Sequence, residues 1–162
     1  MAFALDEYRS RGNILVRKAF WTDASCSKSK SGIAVVWKTN PSCLFSAWEI
    51  RGYRVLHSLD STNAELLAIL QALEIAAEHI IKSYDTPFVV AIFSDSARAL
   101  AEIRGSSRNG IGISNPLIQQ INQQSWILSS RGIETHLHCS PGHVGIPGND
   151  LADRVAKRAA KG

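Results

Sequence analysis

The sequence predicts one mixed α/β domain, in which helices cover a five-stranded sheet and the elements follow the order βββαβααβα. In the first part of the chain, three strand-like segments are joined by short polar turns, which is typical of an antiparallel meander. In the later part, apolar strand-like segments are separated by helices, so the strands they connect should pair in parallel. The length of 162 residues suits a single compact domain without internal repeats or linkers.

The strands are predicted from apolar runs bounded by polar or turn-forming residues. They are expected at residues 18–24, 32–38, 42–50, 88–93 and 133–139. Residues 1–17 are of mixed character, and we interpret them as a lead-in segment to a domain that spans residues 18–162.

The helices are predicted from apolar residues at three-to-four spacing and from residues that favour helix ends. Ser61 or Thr62 offers an N-cap for a long first helix, and Pro116 stands where the first turn of the third helix is expected. The four helices are expected at residues 61–82, 96–103, 116–130 and 149–161, with loops at 105–115 and 145–148.

The composition is that of a globular protein, with 45% hydrophobic and 20% charged residues, which argues against disorder. The formal net charge of +4 is compatible with a polyanionic partner without establishing one. The three widely spaced cysteines form neither a disulfide framework nor a metal motif, so we expect an intracellular, reducing compartment. No apolar run reaches membrane-spanning length and no signal-peptide pattern is present, so we expect no membrane partner.

Four acidic residues, each in a different sequence setting, are the main candidates for chemistry. Asp23 and Asp95 end or interrupt apolar strand-like runs, whereas Glu65 and Asp153 sit on helix-like segments. Carboxylates gathered from separate elements repel one another unless a cation lies between them. Oxygen ligands without convergent His or Cys partners suit magnesium or manganese. The set therefore predicts a metal-dependent phosphoryl-transfer site.

Each of these acids also has an ordinary structural interpretation. A single Asp after a strand is more often a cap or turn residue, and Glu65 has the position of a capping glutamate. The functional interpretation is favoured for Asp23 and Asp95 because they are expected on neighbouring strands. Helical geometry adds that Glu65 and Asp153 border the buried faces of their helices, whereas Asp150 falls among basic residues and complements the helix dipole. Those basic residues, expected to face solvent, are Arg154, Lys157, Arg158 and Lys161.

His143 lies in the loop between the last strand and the last helix. A single loop histidine is usually incidental, but its place beside the helix of Asp153 favours a role in proton transfer. His136 and His138 share one face of the last strand, and we interpret them as structural.

Four motifs contain these residues: Thr22-Asp23-Ala24-Ser25, Ala64-Glu65-Leu66, Ser94-Asp95-Ser96 and the stretch from Pro141 to Asp153. Their order, over nearly the whole chain, resembles the type 1 ribonuclease H family. The last motif looks most like that of ribonuclease H domains in non-LTR retrotransposon reverse transcriptases. Short motifs are weak singly, whereas four in order, the last of them long, are a strong signal.

The resemblance implies an RNase H-like fold and an endonuclease that hydrolyses the RNA strand of RNA/DNA hybrids, leaving 5′-phosphate and 3′-hydroxyl ends. It implies a site for two Mg²⁺ ions, with Mn²⁺ as a substitute, and with Asp23 between the ions. His143 would move protons or help release product. The expected partner is the hybrid, and the chain would be part of a larger reverse transcriptase polypeptide but monomeric as an isolated domain. The metal ligands implied are Asp23, Glu65, Asp95 and Asp153.

Substrate contacts are expected around the first-strand motif and the start of the first helix. Many family members have an amide pair near the helix glutamate where this chain has hydroxyl side chains, and Ala24 replaces a common glycine. Residues 104–116 are too few for the basic handle helix of some bacterial members, so weaker and more salt-sensitive binding is expected. The substrate-binding candidates are Ser25, Ser61, Thr62 and Asn63.

Two other functions stay open at this point. One is a binding domain of the same fold without catalysis, and the other is a different polynucleotidyl transferase or exonuclease of the wider superfamily. No acidic ligand is missing from the sequence, which argues against the first. The histidine loop and the last helix argue against the second.

Overall fold

The computed structural model describes residues 17–40, 43, 45–57, 59–82, 89–109, 115–142 and 145–162. The element order of this part is the predicted one. The strands are β1 (Arg17–Cys26), β2 (Ser31–Lys38), β3 (Trp48–Val55), β4 (Val89–Ser94) and β5 (Glu134–Cys139). The helices are α1 (Ser61–Lys82), α2 (Ala97–Asn109), α3 (Pro116–Ser130) and α4 (Pro147–Lys161). Residues 1–16 of the expected lead-in lie outside the described residues, so its division from the domain stays a prediction.

The five strands form one mixed sheet in the order β3-β2-β1-β4-β5. β1 pairs antiparallel with β2, and β2 with β3, as expected of strands joined by short turns. β4 pairs in parallel with β1 and with β5, because the intervening helices return the chain to the same end of the sheet. The predicted fold class, a meander with parallel additions and flanking helices, is therefore confirmed.

Helices cover both faces of the sheet. On one face, Phe20 and Ile92 pack with Leu66 of α1 in the main core, to which α2 and α3 also contribute. On the other face, α4 lies across β1, β2 and β3. A side chain in place of Gly32 would clash with the α4 backbone at Ala156, so this close approach requires glycine. None of the described helices is both long enough and apolar enough to cross a membrane.

β3 begins later than predicted, at Trp48 rather than at residue 42. The described residues before it, 43 and 45–47, lie in a loop, next to which the Thr39 amide donates to the Ala47 carbonyl at 3.1 Å. Phe45 in this loop is 97% exposed, although its apolar character had placed it in the strand. Pairing with β2 then continues to Val55. The apolar run located a strand in this region, but the bounds of that strand depend on its partner and on the turn.

The N-cap of α1 is Asp60, not Ser61 or Thr62 as predicted. Asp60 Oδ1 accepts a hydrogen bond from the Asn63 amide at 2.9 Å, and the Asp60 carbonyl accepts one from the Ala64 amide at 3.0 Å. Hydrogen bonds donated by the backbone amide and the side chain of Asn63 hold the pKa of the Asp60 carboxyl below its ordinary value. The capping residue thus stands one position earlier than expected.

Two other helices also differ from the prediction in their bounds. α2 continues beyond residue 103 to Asn109, so the first part of the predicted loop is helical. The Ser106 hydroxyl donates to the Ile103 carbonyl at 2.7 Å, which satisfies this side chain within the helix. α4 starts at Pro147 rather than at residue 149, because proline suits the first helical turn.

Candidate active site

Asp23 and Asp95 lie at the same end of two adjacent strands, β1 and β4. In the parallel pairing of these strands Thr22 lies opposite Ser94, and each aspartate is the next residue in its chain. Asp23 is buried within the sheet, whereas Asp95 follows the end of β4 and is half-buried. The two carboxylates therefore share one edge of the sheet, as the sequence predicts.

Glu65 brings a third carboxylate from α1. Its neighbours Ala64 and Leu66 are fully buried, which presses this part of the helix against the sheet. Glu65 Oε1 accepts a hydrogen bond from the Ala24 amide at 3.1 Å, so the side chain is tied to the residue after Asp23. Carboxylate oxygens of Asp23, Glu65 and Asp95 all lie within 4.8 Å of one another. We refer to these three residues as the acidic cluster.

Two members of the acidic cluster have strongly shifted pKa values. Burial, followed by the charges of Asp23 and Asp95, raises the pKa of Glu65 to about 9. Burial, followed by the charge of Asp95, raises the pKa of Asp23 to about 7, against the lowering effect of a hydrogen bond from the Ala24 amide. The cause in both cases is the cost of holding negative charges close together away from water.

The donor set of the acidic cluster fits a divalent cation. Glu65 Oε2 is buried and has no hydrogen-bond partner among the described residues. A buried polar atom without a partner is costly, and a cation would complete its coordination while offsetting the repulsion between the carboxylates. Carboxylate oxygens suit hard cations such as Mg²⁺ or Mn²⁺ better than soft metals.

Asp153 approaches the acidic cluster from α4, on the side of Asp23. After burial and the charge of Asp95, the charge of Asp153 also contributes to the raised pKa of Asp23. The Asp153 side chain is 25% exposed, and its Oδ2 accepts a hydrogen bond from Lys157 Nζ at 2.8 Å. Lys157 is exposed, as expected of the basic side of this helix, and the contact with Asp153 is an addition that the sequence did not predict. Asp150, in the first turn of α4, keeps the position expected of a residue that complements the helix dipole.

His143 lies outside the described residues, so its role stays a prediction. The loop that carries it starts beside the acidic cluster: a Cβ atom added to Gly142 would lie 3.3 Å from Asp95 Oδ2. The backbone before this loop is also tied to β4, because the Ser140 amide donates to the Ser94 carbonyl at 2.8 Å.

A polar cleft of about 290 Å³ lies at the start of α1, next to α2 and α3. The Asn63 side chain is bound at both ends, because its Nδ2 donates to Asp60 Oδ2 and its Oδ1 accepts from Asn115 Nδ2 at 2.9 Å. Ser25 is not among the lining residues; it lies near the end of β1, opposite Gly32. The cleft is lined by Asp60, Ser61, Thr62, Asn63, Arg98, Glu102 and Asn115.

Arg98 and Asn115 were not identified as candidates from the sequence. Asn115 had one usable signal, since it precedes Pro116 and caps α3 through a hydrogen bond from the Leu117 amide at 3.0 Å. Its second contact, with Asn63, joins residues far apart in the chain and depends on the fold. Arg98 had no signal beyond an ordinary helical charge.

Comparison with known proteins assigns this sequence to a family. The family model for RNase H matches residues 16–161. A search of curated proteins finds no match.

Solved structures with the same fold include several RNases H. RNase H1 from the halophilic archaeon Halobacterium salinarum aligns with a TM-score of 0.61 and 16% identity, over 90% of this chain and 98% of that one. LC11-RNase H1 from compost, crystallised with an RNA/DNA hybrid, gives a TM-score of 0.64 and 17% identity over 89% and 96%. A foamy viral protease-reverse transcriptase structure with double-stranded DNA gives a TM-score of 0.63 and 20% identity over 91% and 96%.

These structural likenesses concern the fold, whereas the family match extends through nearly the whole sequence and includes the acidic cluster and Asp153. The resemblance of the four motifs to the type 1 family agrees with the family match and with the structural likenesses. The chain belongs to the ribonuclease H family.

Proposed function

We propose that this protein is a divalent-metal-dependent endoribonuclease that hydrolyses the RNA strand of RNA/DNA hybrids. The observation that supports it most directly is the acidic cluster, whose carboxylates converge within 4.8 Å from β1, α1 and the end of β4. A family relative of the same fold was crystallised with an RNA/DNA hybrid, which supports the choice of substrate. The raised pKa values of Asp23 and Glu65 indicate that the ionised cluster needs a cation.

The proposed cofactor is a pair of Mg²⁺ ions, which Mn²⁺ would replace. Asp23, Glu65 and Asp95 would hold them together with Asp153, which lies beside Asp23. When bound, two such ions lower the pKa of an attacking water and stabilise charge on the leaving 3′ oxygen. Asp23 is the residue best placed to serve both, because it interacts with Glu65, Asp95 and Asp153.

The protein's own groups then have distinct tasks. Glu65 is oriented by the Ala24 amide, which binds Oε1 and leaves the buried Oε2 available as a ligand atom. His143, in the loop that starts beside Asp95, would move protons during hydrolysis or help release the product. Attack of water on phosphorus with departure of the 3′ oxygen leaves a 5′-phosphate and a 3′-hydroxyl end.

We infer that the polar cleft and Ser25 contact the backbone of the hybrid. Ser61 and Thr62 line it with hydroxyl groups, the amide of Asn63 is held in place by Asp60 and Asn115, and Arg98 adds a positive charge that is paired with Glu102 at 3.7 Å. Such groups suit phosphate and sugar oxygens, and the 2′-hydroxyl would distinguish RNA from DNA. With few basic contacts, few counterions are released on binding, so we expect weak binding whose dependence on salt is modest rather than the greater salt sensitivity expected from the sequence.

We further propose that the chain is a domain of a reverse transcriptase polypeptide, as in non-LTR retrotransposons, and is monomeric when isolated. The motif from Pro141 to Asp153 supports this origin. The coarser idea of a domain within a longer reverse transcriptase polypeptide is supported by the alignment with a prototype foamy virus protease-reverse transcriptase, in which this chain covers 20% of the longer chain at a TM-score of 0.58.

Cleavage of a labelled RNA/DNA hybrid tests the activity, beside double-stranded RNA, double-stranded DNA and single-stranded RNA. We expect metal-dependent cutting of the RNA in the hybrid alone. Cutting of DNA substrates would favour another nuclease of the superfamily, and inactivity with both Mg²⁺ and Mn²⁺ would favour a binding domain.

A further inference from the structure

Lys157 lies at the margin of the catalytic site, although it belongs to the basic side of α4. Its Nζ donates to Asp153 Oδ2 at 2.8 Å, one helical turn earlier. It is also near enough to Asp23 for the two charges to attract each other. Because its side chain is 56% exposed, the ammonium faces both the carboxylates and the solvent from which a substrate arrives.

We propose that Lys157 is a substrate-positioning residue that has two partners in turn: Asp153 in the free protein, and a phosphate oxygen of the nucleic acid in the complex. This inference rests on the proposed function, because it concerns the substrate of the same site. It adds a residue that the family motifs in this sequence do not identify.

The reason for the exchange is electrostatic. Asp153 Oδ2 is occupied by the ammonium at 2.8 Å, so a divalent cation that uses the same oxygen is repelled by Lys157. A lysine ammonium has three donors on a flexible stem, so it can leave one acceptor for another at small cost. The acceptors that a bound hybrid brings to this margin are phosphate oxygens.

Two effects of opposite sign follow for Lys157→Met. Without nucleic acid, loss of the competing charge should tighten Mg²⁺ binding roughly fivefold, the range of a partly exposed charge pair. Affinity for the hybrid should fall roughly fivefold, and its dependence on salt should decrease by about one released counterion. A residue that only stabilised α4 would not produce this pair of opposite shifts.

The matched control is Lys161→Met, which removes the same charge from the same helix one turn further along. Calorimetric titration with Mg²⁺ measures metal binding by each variant without nucleic acid. Fluorescence anisotropy with a labelled hybrid in Ca²⁺, over a series of salt concentrations, measures substrate binding, with the hybrid checked for integrity on a gel. Lys157→Arg keeps the charge and should bind metal and hybrid nearly as the wild type does. That result would also show that the fold tolerates a substitution at this position.

The proposal is overturned if Lys157→Met matches Lys161→Met in both measurements, or if metal and hybrid binding weaken together. Failure of the proposed function would look different. In that case the wild-type protein would not cleave the hybrid at all, whereas the calorimetric comparison would still report whether Lys157 competes with the cation.

Discussion

The two sides of the candidate active site are built by opposite means. On the strand side, the acidic cluster is held by strand register and by burial, with Glu65 fixed by the Ala24 amide. On the helix side, Asp153 is partly exposed and pairs with Lys157, whose side chain is 56% exposed. The carboxylates of the strand side are therefore held by the protein core, whereas Asp153 on the helix side is held by a contact with a solvent-exposed side chain.

This difference determines what each side tolerates. Burial fixes the carboxylates in place but raises the pKa values of Asp23 and Glu65, so the ionised cluster depends on a cation. Exposed ion pairs contribute little to stability and rearrange easily. Changes on the strand side should therefore abolish activity, whereas changes on the helix side should adjust it.

Asp95→Asn should produce the largest loss. The amide keeps the shape of the side chain but removes a ligand charge, and a loss of several kcal/mol of electrostatic stabilisation corresponds to about a thousandfold slower cleavage. Initial rates on the labelled hybrid test this, with circular dichroism to verify the fold. Wild-type turnover in the variant would show that the metal assignment is wrong.

The strand side should also make the metal-free protein sensitive to pH. The pKa of Asp23 is raised from 3.8 to about 7 and that of Glu65 from 4.5 to about 9. Because these folded-state pKa values exceed the unfolded-state ones, the folded protein holds its protons more tightly than the unfolded chain does. The stability that this difference contributes to the fold is complete below about pH 4 and is lost as the pH rises through 7 and 9. Thermal unfolding in EDTA should show a Tm that falls over this interval.

Glu65→Gln is the control for this pH dependence, since it keeps an acceptor for the Ala24 amide and removes one titrating group. Its Tm in EDTA should fall less steeply with pH, while its cleavage activity is lost. Mg²⁺ should raise the Tm of the wild type, and more at pH 9 than at pH 6, because it binds the ionised cluster. An equal pH slope in the variant and the wild type would show that Glu65 titrates normally.

The strand side is also the part that sequence reasoning predicts best. Asp23 and Asp95 were identifiable because each ends or interrupts an apolar run, and parallel strands bring such residues to one edge. Glu65 was identifiable because helical periodicity places it at the border of the apolar face, and its side chain is indeed buried. Both signals are local in the sequence, and packing of the core keeps these side chains in the positions that the signals predict.

The helix side was predicted less well, since its contacts depend on side-chain direction and on distant residues. Periodicity placed Lys157 on the solvent face of α4, but a long flexible side chain can turn back to Asp153 one turn earlier. The contact between Asn63 and Asn115 joins separate elements and has no sequence signal. Similarly, the start of β3 depends on a turn and on its pairing with β2.

His143→Ala should have an intermediate effect. If the imidazole moves protons or assists product release, its loss should slow turnover about a hundredfold, while the metal cluster and some hydrolysis remain. Steady-state kinetics should show the change in kcat, and calorimetry should show unchanged Mg²⁺ affinity. Complete loss would mean that the histidine is as essential as the carboxylates, and an unchanged kcat would exclude it from the reaction.

Arg98→Gln should have the smallest effect. Arg98 lines the polar cleft but is exposed, and its ion pair with Glu102 at 3.7 Å is a weak one. Loss of one phosphate contact should weaken hybrid binding a few-fold and reduce the salt dependence by about one counterion, with kcat unchanged. Arg104→Gln, on the exposed side of the same helix and outside the cleft lining, is the matched control. If both variants bind the hybrid equally well, the cleft is not a contact surface, and contacts from α4 should be examined next, beginning with Lys157.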